Sequence, residues 1–169
     1  MSIIANTTVI SNFACIGQSD LLRQLHKEIY ISAEVYEEIQ KGLSEGYFFY
    51  TSINEQIYPF CDSGWIKLTT LYDDNELRLF GKMPSRLHKG ESSCLSIAYH
   101  RKWLFLTDDR DARIQAERLG IRFSGTIGCL ILATEHHICT SEQANKWLYQ
   151  MIQKGYHSPV NELALLLNL

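Results

Sequence analysis

Short apolar runs alternate with amphipathic segments along this chain of 169 residues, and the alternation predicts an α/β fold. The expected architecture is a three-layer α/β/α sandwich around a central, mainly parallel sheet of about four to five strands. Trp103 to Thr107 supports this most directly. It is short, mostly apolar and without alternation, as a strand covered on both faces should be. The chain then runs straight into Asp108, Asp109 and Asp111. Carboxylates delivered at the C-terminal end of a buried strand lie where open α/β sheets carry out ligand chemistry.

The elements follow in order. Ser2 to Ala5 is an apolar strand that stops at Asn6-Thr7-Thr8. Val9 to Cys15 and Ser19 to Leu25 are short helices separated by Gly17, and Glu28 to Ser32 is a second strand rich in β-formers. From Ala33 to Leu43 the pattern is helical, with Val35, Ile39 and Leu43 as the inward stripe. At 100° per residue, Glu38 lies about 60° from Val35 and flanks that stripe, while Glu37 lies about 160° away and faces solvent. A helix is expected from Ser52 to Cys61, then a strand from Trp65 to Leu68. Asp73 to His88 reads as a loop or weak helix and as the mobile segment of the chain.

Glu91 to His100 is a clear helix whose apolar face is Cys94, Leu95 and Ala98, and Glu91 heads that same face. A carboxylate in line with a buried stripe costs several kcal/mol if it has no partner. Its alternative is to favour the positive N-terminus of the helix. Ala112 to Leu119 is helical, Ile121 to Ser124 is a strand and Thr126 to His136 is a buried helix. Ser141 is expected to cap a helix with Ala144, Trp147, Leu148, Met151 and Ile152 inward. Ser158-Pro159 is expected to start the last helix, whose Leu163, Leu165, Leu166 and Leu167 need cover from the domain or from a second copy. The whole, 1–169, reads as one domain with 140–169 as a C-terminal helical extension.

Composition narrows the function. Hydrophobic residues make up 46% and charged residues 21%, ordinary for a folded soluble protein. A net charge of −3 argues against a generally basic nucleic-acid binder but permits a local basic patch. Five cysteines, none in a CxxC pair, fit reduced thiols and a cytoplasmic location. No signal peptide and no membrane span is expected. His136-His137 is an exposed helix end with no nearby acid, so it is not expected to bind metal.

The acids stand in a pattern. Asn6 follows the first strand, Glu38 flanks a helix, Glu91 heads another, and Asp109 follows the central strand. In a parallel sheet these strand ends share one edge. Clustered carboxylates repel one another unless a hard cation such as Mg²⁺ sits among them. The bland alternative for the last group is a solvated turn with Asp111 capping the next helix.

These residues carry a resemblance. Ile3-Ile4-Ala5-Asn6-Thr7-Thr8, Ile31-Ser32-Ala33-Glu34-Val35-Tyr36-Glu37-Glu38-Ile39, Leu87-His88-Lys89-Gly90-Glu91-Ser92 and Leu106-Thr107-Asp108-Asp109-Arg110-Asp111 resemble, in order, four blocks of the PIN-domain family. The likeness is to its small prokaryotic, VapC-like toxin group. It implies metal-dependent cleavage of single-stranded RNA with Mg²⁺ or Mn²⁺ as cofactor. The implied metal positions fall on Asn6, Glu38, Glu91 and Asp109, and the implied catalytic residues are Glu38, Glu91, Asp109 and Asp111, with Asp108 as a further helper. Thr7, Thr107, Arg110 and Arg113 are candidates for binding substrate, with Lys82, Arg86 and Lys89 as further cations. The toxin reading also implies a small antitoxin partner, and the apolar tail a homodimer. Asn6 departs from the family pattern, which has an acid there. An amide oxygen can ligate but brings no charge, so weaker metal binding is expected. The rival reading is a PIN-like RNA- or protein-binding module without catalysis. A phosphotransfer domain would need a nucleophilic Asp after the first strand, where Asn6 stands.

Overall fold

The computed structural model describes residues 1–167. Among them six strands form one parallel sheet: β1 (Ile3–Ala5), β2 (Ile29–Ser32), β3 (Ile57–Tyr58), β4 (Ile66–Thr69), β5 (Leu104–Leu106) and β6 (Phe123–Ser124). Their order is β3-β4-β2-β1-β5-β6. The helices are α1 (Thr7–Ala14), α2 (Ser19–His26), α3 (Ala33–Ser44), α4 (Thr51–Asn54), α5 (Asp74–Gly81), α6 (Lys89–Arg101), α7 (Arg110–Arg118), α8 (Thr126–Glu135), α9 (Ser141–Gln153) and α10 (Ala164–Leu167). Helix α6 lies over β1, β2 and β5, with α3, α5 and α7 around it, while α1, α2 and α8 pack on one another in the other layer. The three-layer α/β/α fold is as the alternation predicts.

The layers follow from the residues. Ile4, Ile29, Ile31, Ile66 and Phe105 are fully buried, which suits strands with helices on both faces. Helix α6 is buried almost all round from Gly90 to Ala98, so it forms the central rod of its layer. Sheet register brings chemistry to one edge. Ala5 pairs with Leu106, so Asn6 and Thr107 leave the sheet side by side. The chain steps from β1 to β2 on one side of β1, and β5 adjoins it on the other. That reversal of direction opens a crevice at the strand C-termini.

Several expectations are corrected. The sheet has six strands, because β3 lies inside the segment 52–61 expected to be helical. Helix α4 is only Thr51–Asn54, since Pro59 lacks an N–H and biases Tyr58 toward extended backbone. Of the segment 73–88, read as a loop or weak helix, the first half is helix α5, capped by Asp73 through the Asn75 amide, and 82–88 is turns. The cap of α9 is Thr140, whose hydroxyl accepts from the Gln143 amide at 3.1 Å, so Ser141 is already inside the helix. No helix starts at Ser158-Pro159. Ser158 instead bonds the Val160 backbone within a local turn, and α10 begins at Ala164. Of the tail leucines, Leu163 is fully buried and Leu165 is 72% exposed. Among the described residues no helix is long and apolar enough to cross a membrane.

Candidate metal-dependent active site

Asn6 is the N-cap of α1 and is 1% exposed. Its Oδ1 accepts from the Thr8 amide at 3.2 Å and from the Thr8 hydroxyl at 2.7 Å, while its Nδ2 donates to Thr107 Oγ1 at 2.8 Å. Both acceptor lone pairs are therefore engaged within the fold, which leaves the expected ligand atom already satisfied. Thr107 is likewise turned inward: fully buried, its hydroxyl oxygen also accepts from the Asp109 amide at 3.1 Å.

Three carboxylates converge in front of this pair. Glu38 is half-buried on α3, as its angle from Val35 predicts, while Glu37 is exposed. The Thr7 hydroxyl donates to Glu38 Oε2 at 3.2 Å, and the Gly90 amide donates to Oε1 at 3.2 Å. Gly90 lets the Glu38 carboxylate lie against the backbone, since a Cβ there would push the carboxylate aside. Glu91 is 7% exposed, and its Oε2 accepts from the His88 amide at 2.9 Å, closing the first turn of α6. Asp109 is the N-cap of α7 and accepts from the Ala112 amide at 2.7 Å. The cap is thus Asp109 rather than Asp111, because the helix starts one residue after Asp109.

Electrostatics mark the three as one cluster. Burial raises the Glu91 carboxyl above its ordinary value; the His88 amide and the His88 side chain oppose this, and the Asp109 and Glu38 charges push it further up. Burial also raises Glu38, opposed by Thr7, the Gly90 amide and the His88 side chain and reinforced by Glu34. Among the described residues no Lys, Arg or His lies within ion-pair distance of Glu38, Glu91 or Asp109. Hard oxygen donors of like charge suit a divalent cation in kind. As the side chains stand, no three acidic, His or Cys groups among the described residues are close enough together to hold an ion. Among the described residues Glu91 Oε1 and Asp109 Oδ2 accept no hydrogen bond.

The other expected residues are spread around this cluster. Asp111 stands on the rim, 3.6 Å from Arg86 in a half-exposed ion pair. Asp108 faces away into a dense network: it accepts from Asn12 at 3.0 Å, from the Thr126 amide at 2.9 Å and from the Thr126 hydroxyl, with the Tyr156 hydroxyl at 3.4 Å. It clamps α1, α8 and the chain after α9, which is a structural role. Arg113 is also turned inward, donating to the Thr107 carbonyl at 2.9 Å. Arg110 alone of the four substrate candidates is exposed, with no ion pair among the described residues.

A family model described as a PIN domain matches residues 2–169. The chain belongs to the PIN-domain family. No curated protein matches it. The PIN fold is of nuclease type, and the crevice at its strand ends is where the acids of this chain meet. Two PIN-site neighbours escaped the sequence reading. Glu34 sits one turn before Glu38 and has a buried carboxylate oxygen, Oε2, with no hydrogen-bond partner among the described residues. Its signal was the four-residue step to Glu38, which places both on one helix face. Tyr50 is buried beside Glu38, and burial followed by the Glu38 charge raises its hydroxyl above the ordinary value. Nothing local to Tyr50 announced this.

Proposed function

We propose that this PIN-domain chain is a metal-dependent endoribonuclease that cuts single-stranded RNA. The observation that supports it best is the group of Glu38, Glu91 and Asp109: burial raises the first two, the Asp109 and Glu38 charges add to Glu91, and among the described residues none of the three has an ion-pair partner. Glu38, Glu91 and Asp109 would hold Mg²⁺ or Mn²⁺. When bound, such an ion lowers the pKa of a water and stabilises charge on phosphate. Thr7 and the Gly90 amide orient Glu38, the His88 amide orients Glu91, and the Ala112 amide fixes Asp109. Asp111, on the rim beside Arg86, positions the attacking water. Arg110 holds the RNA backbone. Asn6 and Thr107 act behind the acids, tying β1 to β5. The test is cleavage of a single-stranded RNA with Mg²⁺ or Mn²⁺ by wild type and by Asp109→Asn. Loss of cutting in the variant and on chelation is expected; equal cutting by both ends the reading.

We further propose the toxin role that the VapC-like resemblance implies, with a small antitoxin covering the acids and with the chain as a homodimer. Induced expression should then arrest growth, and Asp109→Asn should not. A strict monomer on size exclusion removes the dimer.

A second reading is a PIN-fold binding module, and the saturated, uncharged Asn6 is what favours it. Asn6→Asp separates the two. If only the aspartate form cuts RNA, the natural chain is the binding module.

A further inference from the structure

Beside the acids lies a groove whose larger part has an apolar side that the cleavage reading does not use. Its smaller part, about 290 Å³, has Asp109, Arg110 and Tyr156 in its wall. Its larger part, about 580 Å³, lies between α7, β6, the start of α8 and the segment after α9. Both parts are bounded by Asp108, Arg110, Tyr156 and His157, so they join. The larger volume is within the range that takes one drug-sized or nucleotide-sized molecule.

The two ends of this groove differ in chemistry. Ile114, Phe123 and Ile127 are half-buried apolar side chains open to the larger part, with exposed Pro159 opposite. At the junction stand two exposed side chains of different kinds, the Arg110 guanidinium and the His157 imidazole. Arg110 has no ion pair among the described residues, whereas Asp108 and Arg113 are 3.9 Å apart and spend their charges on each other and on the fold. Glu117 also borders the larger part, and its negative charge disfavours a second phosphate there. A chamber with one apolar side, Ile114, Phe123 and Ile127, that opens past Arg110 toward Asp109 suits a base joined to a single phosphate.

From this arrangement we infer that the groove is a one-nucleotide subsite: the base rests against Ile114, Phe123 and Ile127, and its phosphate lies between Arg110 and the acid cluster. The inference rests on the nuclease reading and extends it. It makes this chamber the place where the chain selects the nucleotide next to the cut. Tyr156 holds the chamber wall in place, its hydroxyl tethered to Asp108. The segment after α9 thereby becomes part of substrate recognition.

The test is binding to the full chain, read by methyl NMR in magnesium buffer. The probes are the four nucleoside 5′-monophosphates, the matching nucleosides and inorganic phosphate. At least one monophosphate should saturably shift the Ile114 and Ile127 methyls. Its nucleoside should bind more weakly, and inorganic phosphate should leave those methyls unmoved. Arg110→Ala should weaken the monophosphate by about tenfold, the loss of one charged hydrogen bond. Ile114→Trp should abolish the shifts at Ile127 while its melting curve stays close to wild type. If no monophosphate moves these methyls, or if nucleoside and monophosphate bind equally, the subsite is overturned. A silent chamber in a chain that cuts RNA overturns the subsite alone. A filled chamber in a chain that cuts nothing leaves the subsite standing and ends the catalytic reading.

Discussion

Two buried acids in this molecule have opposite surroundings. Glu76 on α5 is 2% exposed and meets Arg101 from the end of α6, with Nε–Oε1 at 2.6 Å and Nη2–Oε2 at 3.0 Å. The guanidinium also donates to Thr69 Oγ1 and to the Thr70 carbonyl, and stacks near Tyr72 and Trp103. Burial would raise the Glu76 carboxyl, but Arg101 and the Tyr72 amide outweigh it and hold it below its ordinary value. Glu38 and Glu91, at the opposite end of α6, are raised. One helix thus carries a settled acid pair at its C-terminus and an unsettled acid cluster at its N-terminus. Where the fold buries a charge for packing it supplies an ion-pair partner; at the crevice, among the described residues, Glu38 and Glu91 have none.

The largest effect should come from breaking the settled side. Arg101→Ala leaves Glu76 buried and alone, which should cost about 3–5 kcal/mol. Thermal melting should then fall by roughly 10 °C, with cleavage per folded molecule unchanged. On the unsettled side the sign reverses. Glu91→Gln keeps an acceptor for the His88 amide and removes a repelling charge, so its melting temperature should equal or exceed that of wild type. Its RNA cleavage should drop by about 100-fold or more, typical of losing a charge-stabilising group. A matching fall in stability would break the comparison.

Metal and pH sharpen it further. Millimolar Mn²⁺ should raise the melting temperature of wild type and not of Glu91→Gln, because only binding to the folded state stabilises. In chelator, the two regions should respond to acid in opposite directions. The folded values of Glu38 and Glu91 lie above their unfolded ones. Their contribution to stability is therefore full below the unfolded value and is lost as pH rises through the raised folded value. Glu76 has a depressed folded value, so its contribution is present above the unfolded value and is lost as pH falls through the folded one. Melting against pH should show Glu38→Gln flattening the first slope and leaving the second. The smallest effect is at the rim: Asp111→Ala removes a half-exposed ion pair with Arg86, worth about 0–1 kcal/mol. Cleavage should fall if Asp111 positions water, and a wild-type rate would remove it from the mechanism.

The acids of the crevice were legible because each is tied to a local pattern. Asp109 ends an apolar strand, Glu91 heads a helix, and Glu38 lies at a fixed angle from Val35. Their separate partners were not. Asp108 and Asp109 are neighbours in the chain and look alike there, yet one faces the cluster and the other is consumed by Asn12, Thr126 and Tyr156. Gly125 lets them part company, since a Cβ there would collide with Asp108 and Arg113. The helix expected after Ser158-Pro159 failed for a related reason. A cap and a proline permit a helix start, but the buried Leu163 takes its amide to Asn145 Oδ1 at 2.7 Å instead.

Most of the strands and helices, and the face of α3 that carries Glu38, were written within four or five residues. Helical and strand periods and capping bonds act over that distance, so the chain states them directly. The bond of Asn6 to Thr107, the pairing of Glu76 with Arg101 and the chamber beside Arg110 join residues that are far apart in the chain. Only close packing of the layers decides which of several similar side chains reaches a partner and which is left facing the crevice. At Asn6 that difference is plain: its place was readable, but that its oxygen is already spent on Thr8 was not.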